Sequence, residues 1–131
     1  MAEPEKTEKI TVNLGLVDLG EIDLLVSEGF YANRTDFIRS AIRRQLDSRA
    51  TAVRDSVDRR TLSLGTLRVT AADLQTRRAA RQTLAVRVLG LCVIDDDVDP
   101  DLARAVITSV EVLGAFRASR AVKAALAPVT V

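Results

Sequence analysis

Polar and apolar residues alternate from Lys9 to Leu14, with Ile10, Val12 and Leu14 on one side of an extended chain and Lys9, Thr11 and Asn13 on the other. This period predicts one short strand. No hairpin mate lies nearby, and a lone strand leaves its backbone groups without partners, so pairing with a second copy of the chain is expected. Past Gly15 the period lengthens. Leu19, Ile22, Leu25 and Val26 form a helical stripe, and Gly29 stands where a left-handed residue ends a helix, which predicts helix one over 17–28. Asn33 is placed to cap a second helix, with Asp36 as the acid of a capping box. Phe37, Ile38, Ala41, Ile42 and Leu46 supply its stripe, which predicts helix two over 34–49. The polar continuation through Arg60 reads as a helical tail or linker, with a domain boundary near its end.

Beyond it lies an internal repeat, visible when the chain is aligned on Gly65, Gly90 and Gly114, each preceded by a leucine. Val86-Arg87-Val88-Leu89-Gly90 and Val110-Glu111-Val112-Leu113-Gly114 differ at one position only. Each glycine is followed by a residue able to cap a helix, Thr70, Asp95 or Ser119, with Asp99 as a second cap in the middle copy. Helical segments follow over 71–81, 100–106 and 120–126. A strand that recurs after a helix runs parallel to its predecessor, so 62–127 is expected to form a small right-handed β/α solenoid of about three strand-turn-helix repeats. In-register stacking would set Arg87 beside Glu111 as an opposite-charge pair, and Val86 and Val88 beside Val110 and Val112. Three parallel strands leave two open edges. Association of the C-terminal halves is therefore expected, as a dimer tied at both ends or as dimers linked into tetramers or longer assemblies, with Val86, Val88, Val110 and Val112 as its candidate residues.

The fold class that follows is α+β, with a leader over 1–8, expected to be flexible, a strand-helix-helix unit over 9–49, a basic tail over 50–61 and the repeat domain over 62–127. Composition adds exclusions. The 131 residues include no His, no Trp and one Cys, which removes the usual donors for zinc, for acid–base catalysis and for a disulfide framework. No nucleophile–base pair is evident, so no enzyme activity and no cofactor are expected. Asp95, Asp96, Asp97, Asp99 and Asp101 lack the glycine and distal Glu of a calcium loop, and acids ahead of a helix opening at Pro100 favour its positive end in any case, so no metal is expected. Cys92, with no second Cys or His near it, reads as a buried apolar residue. Residues 1–9 have no signal-peptide run and no stretch is long enough to span a membrane, so a cytoplasmic, nucleoid-associated protein is expected. The net charge of +1 hides an uneven layout: the segment 51–82 is the basic one.

The strand, the two helices and the turn containing Gly29 and Asn33-Arg34-Thr35-Asp36 resemble the ribbon-helix-helix family of DNA-binding proteins, the superfamily of the Arc and MetJ repressors, over about residues 9–47. The resemblance implies an intertwined homodimer whose two strands form an antiparallel ribbon in the major groove of double-stranded DNA. By position it implies that Lys9, Thr11 and Asn13 face the bases. Ile10, Val12 and Leu14 would face the helices and build the dimer core with Phe37, Ile38 and Ile42. It further implies that the first turn of helix two, Asn33, Arg34 and Thr35, grips a phosphate. Arg39, Arg43 and Arg44 read as a solvated helix face. The acidic leader, Glu3, Glu5 and Glu8, departs from what a DNA binder favours next to its reading strand. No family resemblance was found for the C-terminal half.

The function expected is that of a sequence-specific transcriptional regulator, a repressor by analogy. The alternative is an antitoxin or scaffold protein whose C-terminal half binds a protein partner. Antitoxins of this type carry a tail that folds on binding, and an apolar half built from repeats argues against one.

Overall fold

The computed structural model of the chain describes residues 6–131. The part of the leader at 1–5, with Glu3 and Glu5, lies outside the described residues. The chain divides into two compact units, one of Lys9–Ser56 and one built around Val57–Val131.

In the first unit α1 runs over Leu16–Ser27 and α2 over Arg34–Ser48. Gly29, at φ 86°, takes the left-handed conformation that ends α1, while the Phe30 N–H returns to the Leu25 carbonyl at 3.0 Å. The segment 9–14 carries no ladder within the described chain, and its apolar side chains face solvent: Ile10 is 76% and Val12 67% exposed. Ile22 is the one buried hydrophobic side chain of this unit, with Leu19, Leu25 and Val26 half-buried around it, whereas Ile38, Ile42 and Leu46 of α2 stay exposed. The strand expected over 9–14 is therefore not formed within the described chain, and a two-helix unit whose apolar stripes remain in water has half a core. The polar continuation after α2 is a helix of its own, α3 over Ala50–Arg60, which spans the boundary between the units.

The second unit follows the repeat. Its elements are β1 (Ser63–Val69), α4 (Ala71–Ala79), β2 (Leu84–Ile94), α5 (Pro100–Val106), β3 (Ile107–Arg117) and α6 (Arg120–Leu126). The three strands form one parallel sheet in the order β1-β2-β3. The register is the one the repeat predicts: Gly65 pairs with Gly90 and Gly90 with Gly114, while Val86 faces Val110, Arg87 faces Glu111 and Val88 faces Val112. All three glycines have positive φ, between 117° and 139°. A side chain at Gly90 would overlap the carbonyl oxygen of Gly65, and one at Gly114 that of Gly90. Only glycine allows the strands to bend in step at this row.

Two sequence expectations are corrected here, the association residues and the Asp95 cap, and another, Arg87 beside Glu111, holds in register with a different ion pair. Val86, Val88 and Val110 are at most 1% exposed and pack with Leu74 of α4, Leu102 and Val106 of α5, and Val122 and Leu126 of α6. They form this unit's own core, where burying each side chain contributes about 1.5–3 kcal/mol, and so offer no surface for association. Val112 is partly buried against the same core. Arg87 and Glu111 are neighbours in register, yet the Glu111 carboxylate pairs with Arg60 at the end of α3, and Arg87 donates to the Arg60 carbonyl at 3.2 Å. Asp95 caps no helix. It is buried and accepts from Arg68 Nε at 2.8 Å, while the side chain of Asp99 caps α5 by accepting from the Asp101 N–H at 3.0 Å. The caps at Thr70 and Ser119 form as expected, the former as a full capping box with Asp73.

Candidate nucleic-acid interface

Lys9, Thr11 and Asn13 are exposed on the segment before α1, alternating with exposed Ile10, Val12 and Leu14. Their chemistry suits base edges in the major groove. Lys donates to guanine acceptors, Asn pairs in two-pronged fashion with adenine, and Thr hydrogen-bonds or touches a thymine methyl group.

The turn between α1 and α2 shapes the second part of the surface. Tyr31 and Phe37 meet edge to face with centroids 5.0 Å apart, bracing the turn against the start of α2. Asn33 Oδ1 accepts from the Asp36 N–H at 2.8 Å, and Asp36 Oδ2 accepts from the Ala32 N–H at 2.9 Å. The Asp36 carboxylate thus reaches one residue beyond the capping-box position. Capping takes up the Asp36 N–H. The N–H groups of Arg34 and Thr35, at the start of the helix, have no acceptor among the described residues and present the positive end of α2.

The Arg34 side chain is committed elsewhere. Its Nε and a terminal nitrogen each lie 2.8 Å from a carboxylate oxygen of Asp23 on α1. The hydrogen bond from Arg34, helped by its charge, holds the Asp23 carboxyl below the usual range, and Asp23 in turn raises the Arg34 guanidinium. Both side chains are about half exposed, so water screens the pair and a competing anion can reach it. Sequence reasoning missed Asp23. The two residues stand eleven apart on different helices, and no spacing rule spans that gap.

Elsewhere the chemistry is structural. Cys92 is fully buried in β2, and desolvation pushes its thiol up to about 11. Among the described residues no group of His, Cys, Asp or Glu is arranged to hold a metal ion, and no helix is long and apolar enough to cross a membrane.

Comparison with known proteins fits this geometry. The Ribbon-Helix-Helix transcriptional regulator family matches residues 5–123, nearly the whole chain, and the protein belongs to that family. Membership points to a DNA-binding transcriptional regulator that dimerises. The match also extends the resemblance read from 9–47, because it takes in all three strands and the start of α6, so the C-terminal half is covered by the family as well. No curated protein and no solved structure matches the chain significantly.

Proposed function

We propose that the protein is a sequence-specific transcriptional regulator, acting as a repressor, that binds double-stranded DNA as a homodimer through a ribbon formed by residues 9–14 of two chains. The observation that carries this reading is the incomplete core of the first unit. Ile10, Val12, Leu14, Ile38 and Ile42 are all at least 40% exposed, beside a single buried hydrophobic side chain, Ile22. Phe37 is half-buried on the same helix. Apolar surface of this extent on so small a unit is stable only when covered, and a second copy supplies the same stripes in complementary order. With the apolar side of each strand turned inward, the alternation leaves Lys9, Thr11 and Asn13 outward on a shared ribbon. The Arg34 and Thr35 N–H groups, capped by Asn33, then take a phosphate oxygen and set the register on the duplex.

The second unit acts as a small β/α solenoid that associates rather than reads DNA. Its packed core weighs against an antitoxin tail that folds only on a partner. The test is selection of bound DNA from a random pool by the full chain and by Lys9→Ala, Thr11→Ala and Asn13→Ala variants. Each variant should change the selected bases at its own position, at about 1–3 kcal/mol of discrimination per contact. Selected sequences identical to those of the parent would refute base reading by this segment.

A further inference from the structure

The two edges of the parallel sheet differ. On the outer side of β3 the chain's own C-terminal residues are seated: Thr130 bridges Val110 in parallel, and the Val131 N–H donates to the Val110 carbonyl at 2.9 Å. On the outer side of β1 no strand is paired among the described residues. Two of the side chains that usually protect an edge are missing from β1 as well. Its seven residues, Ser-Leu-Gly-Thr-Leu-Arg-Val, contain no Pro and no Lys. Its single charge, Arg68, is paired with buried Asp95, and Leu64 is 73% exposed.

We infer that β1 is a second homodimer contact, in which the β1 edges of two copies pair antiparallel across a two-fold axis and join two three-stranded sheets into one of six strands. The inference rests on the ribbon dimer proposed above, and three arguments select this occupant. First, Thr130 and Val131 sit on β3, so head-to-tail continuation of the repeat from β3 onto the next chain's β1 meets an occupied edge. Pairing like with like is the closed alternative. Second, a two-fold axis perpendicular to the sheet keeps α4, α5 and α6 of both copies on one face. It also brings no unpaired like charges together, because Arg68 is already matched by Asp95. Third, holding the chain as a dimer by its first unit makes contact between the second units intramolecular, so a modest edge contact suffices.

The experiment is cross-linking of the full chain with a short bismaleimide at single cysteines introduced by Leu64→Cys, Thr66→Cys, Leu113→Cys and Thr11→Cys. Leu64 and Leu113 occupy the same sheet row on opposite edges, both exposed. Native Cys92 is fully buried and does not compete. Thr11→Cys reports the ribbon independently. The expected result is a covalent dimer from Leu64→Cys or Thr66→Cys, none from Leu113→Cys, and a dimer from Thr11→Cys. A dimer from Thr11→Cys with none from either β1 position overturns the edge pairing and leaves the ribbon standing. A ladder of higher species from a Leu64→Cys/Leu113→Cys double variant overturns it in favour of head-to-tail stacking. A β1 dimer without the Thr11→Cys product retains the edge contact and removes the ribbon. Absence of both removes both readings.

Discussion

The guanidinium of Arg34 and the carboxylate of Asp23 meet fork to fork, with two nitrogen–oxygen contacts of 2.8 Å joining the start of α2 to the middle of α1. The pair places a carboxylate beside the backbone N–H groups proposed to receive a phosphate. On that proposal Asp23 and a DNA phosphate compete for Arg34.

Competition between them gives a directional expectation. Asp23→Asn should release Arg34 and strengthen binding to non-specific duplex. The slope of log affinity against log salt should steepen by about one for each phosphate newly neutralised. Arg34→Ala should weaken binding to all sequences alike and flatten that slope. Fluorescence anisotropy titrations at several salt concentrations measure both. Weaker binding by Asp23→Asn would instead make Asp23 a positioning partner that aims Arg34 at the backbone.

The glycine row offers a graded test of packing. Alanine at Gly65 meets nothing within 4 Å but inherits φ 117°, a strain of about 1–3 kcal/mol. At Gly90 and Gly114 the same strain is joined by overlap with a neighbouring carbonyl oxygen. Thermal unfolding should rank Gly65→Ala as the mildest of the three, with the other two losing substantially more. Equal losses at all three positions would show that φ alone sets the requirement for glycine.

Cys92 provides an alkaline probe. Its thiol is raised from 9.0 to about 11 by burial, so the folded chain holds this proton over a range where the unfolded chain loses it. Stability from the protonated thiol is complete below pH 9.0 and is lost as pH rises through about 11. Native protein should resist alkylation at pH 8 and take up one equivalent of reagent once denatured. Rapid labelling of the folded protein would contradict the closed core around β2.

Much of the fold was legible because each element carries a local signal. Asn33, Thr70 and Ser119 cap where their side chains predict, Gly29 turns left-handed, and the Leu-Gly repeat aligns three strands in register, since a period of 24 or 25 residues leaves one way to stack them. The division of residues 9–14 into an apolar and a polar set was legible for the same reason, as strict alternation assigns each side chain of an extended segment to a face. Partners across space were not. The caps at Asp95 and Asp99 looked equivalent in sequence, and the choice fell to Asp99 because Arg68 claims the other carboxylate from an adjacent strand.

By itself, the order of residues determined where helices begin and end and which strands repeat. These follow from hydrogen bonding and periodicity within a few residues. Tertiary structure decided that Val86, Val88 and Val110 are core, that Arg60 rather than Arg87 neutralises Glu111, that Asp23 holds Arg34, and which sheet edge the C-terminal residues occupy. Such choices depend on which of several compatible groups the packed backbone brings within hydrogen-bonding distance, and burial and charge pairing act only over that short range.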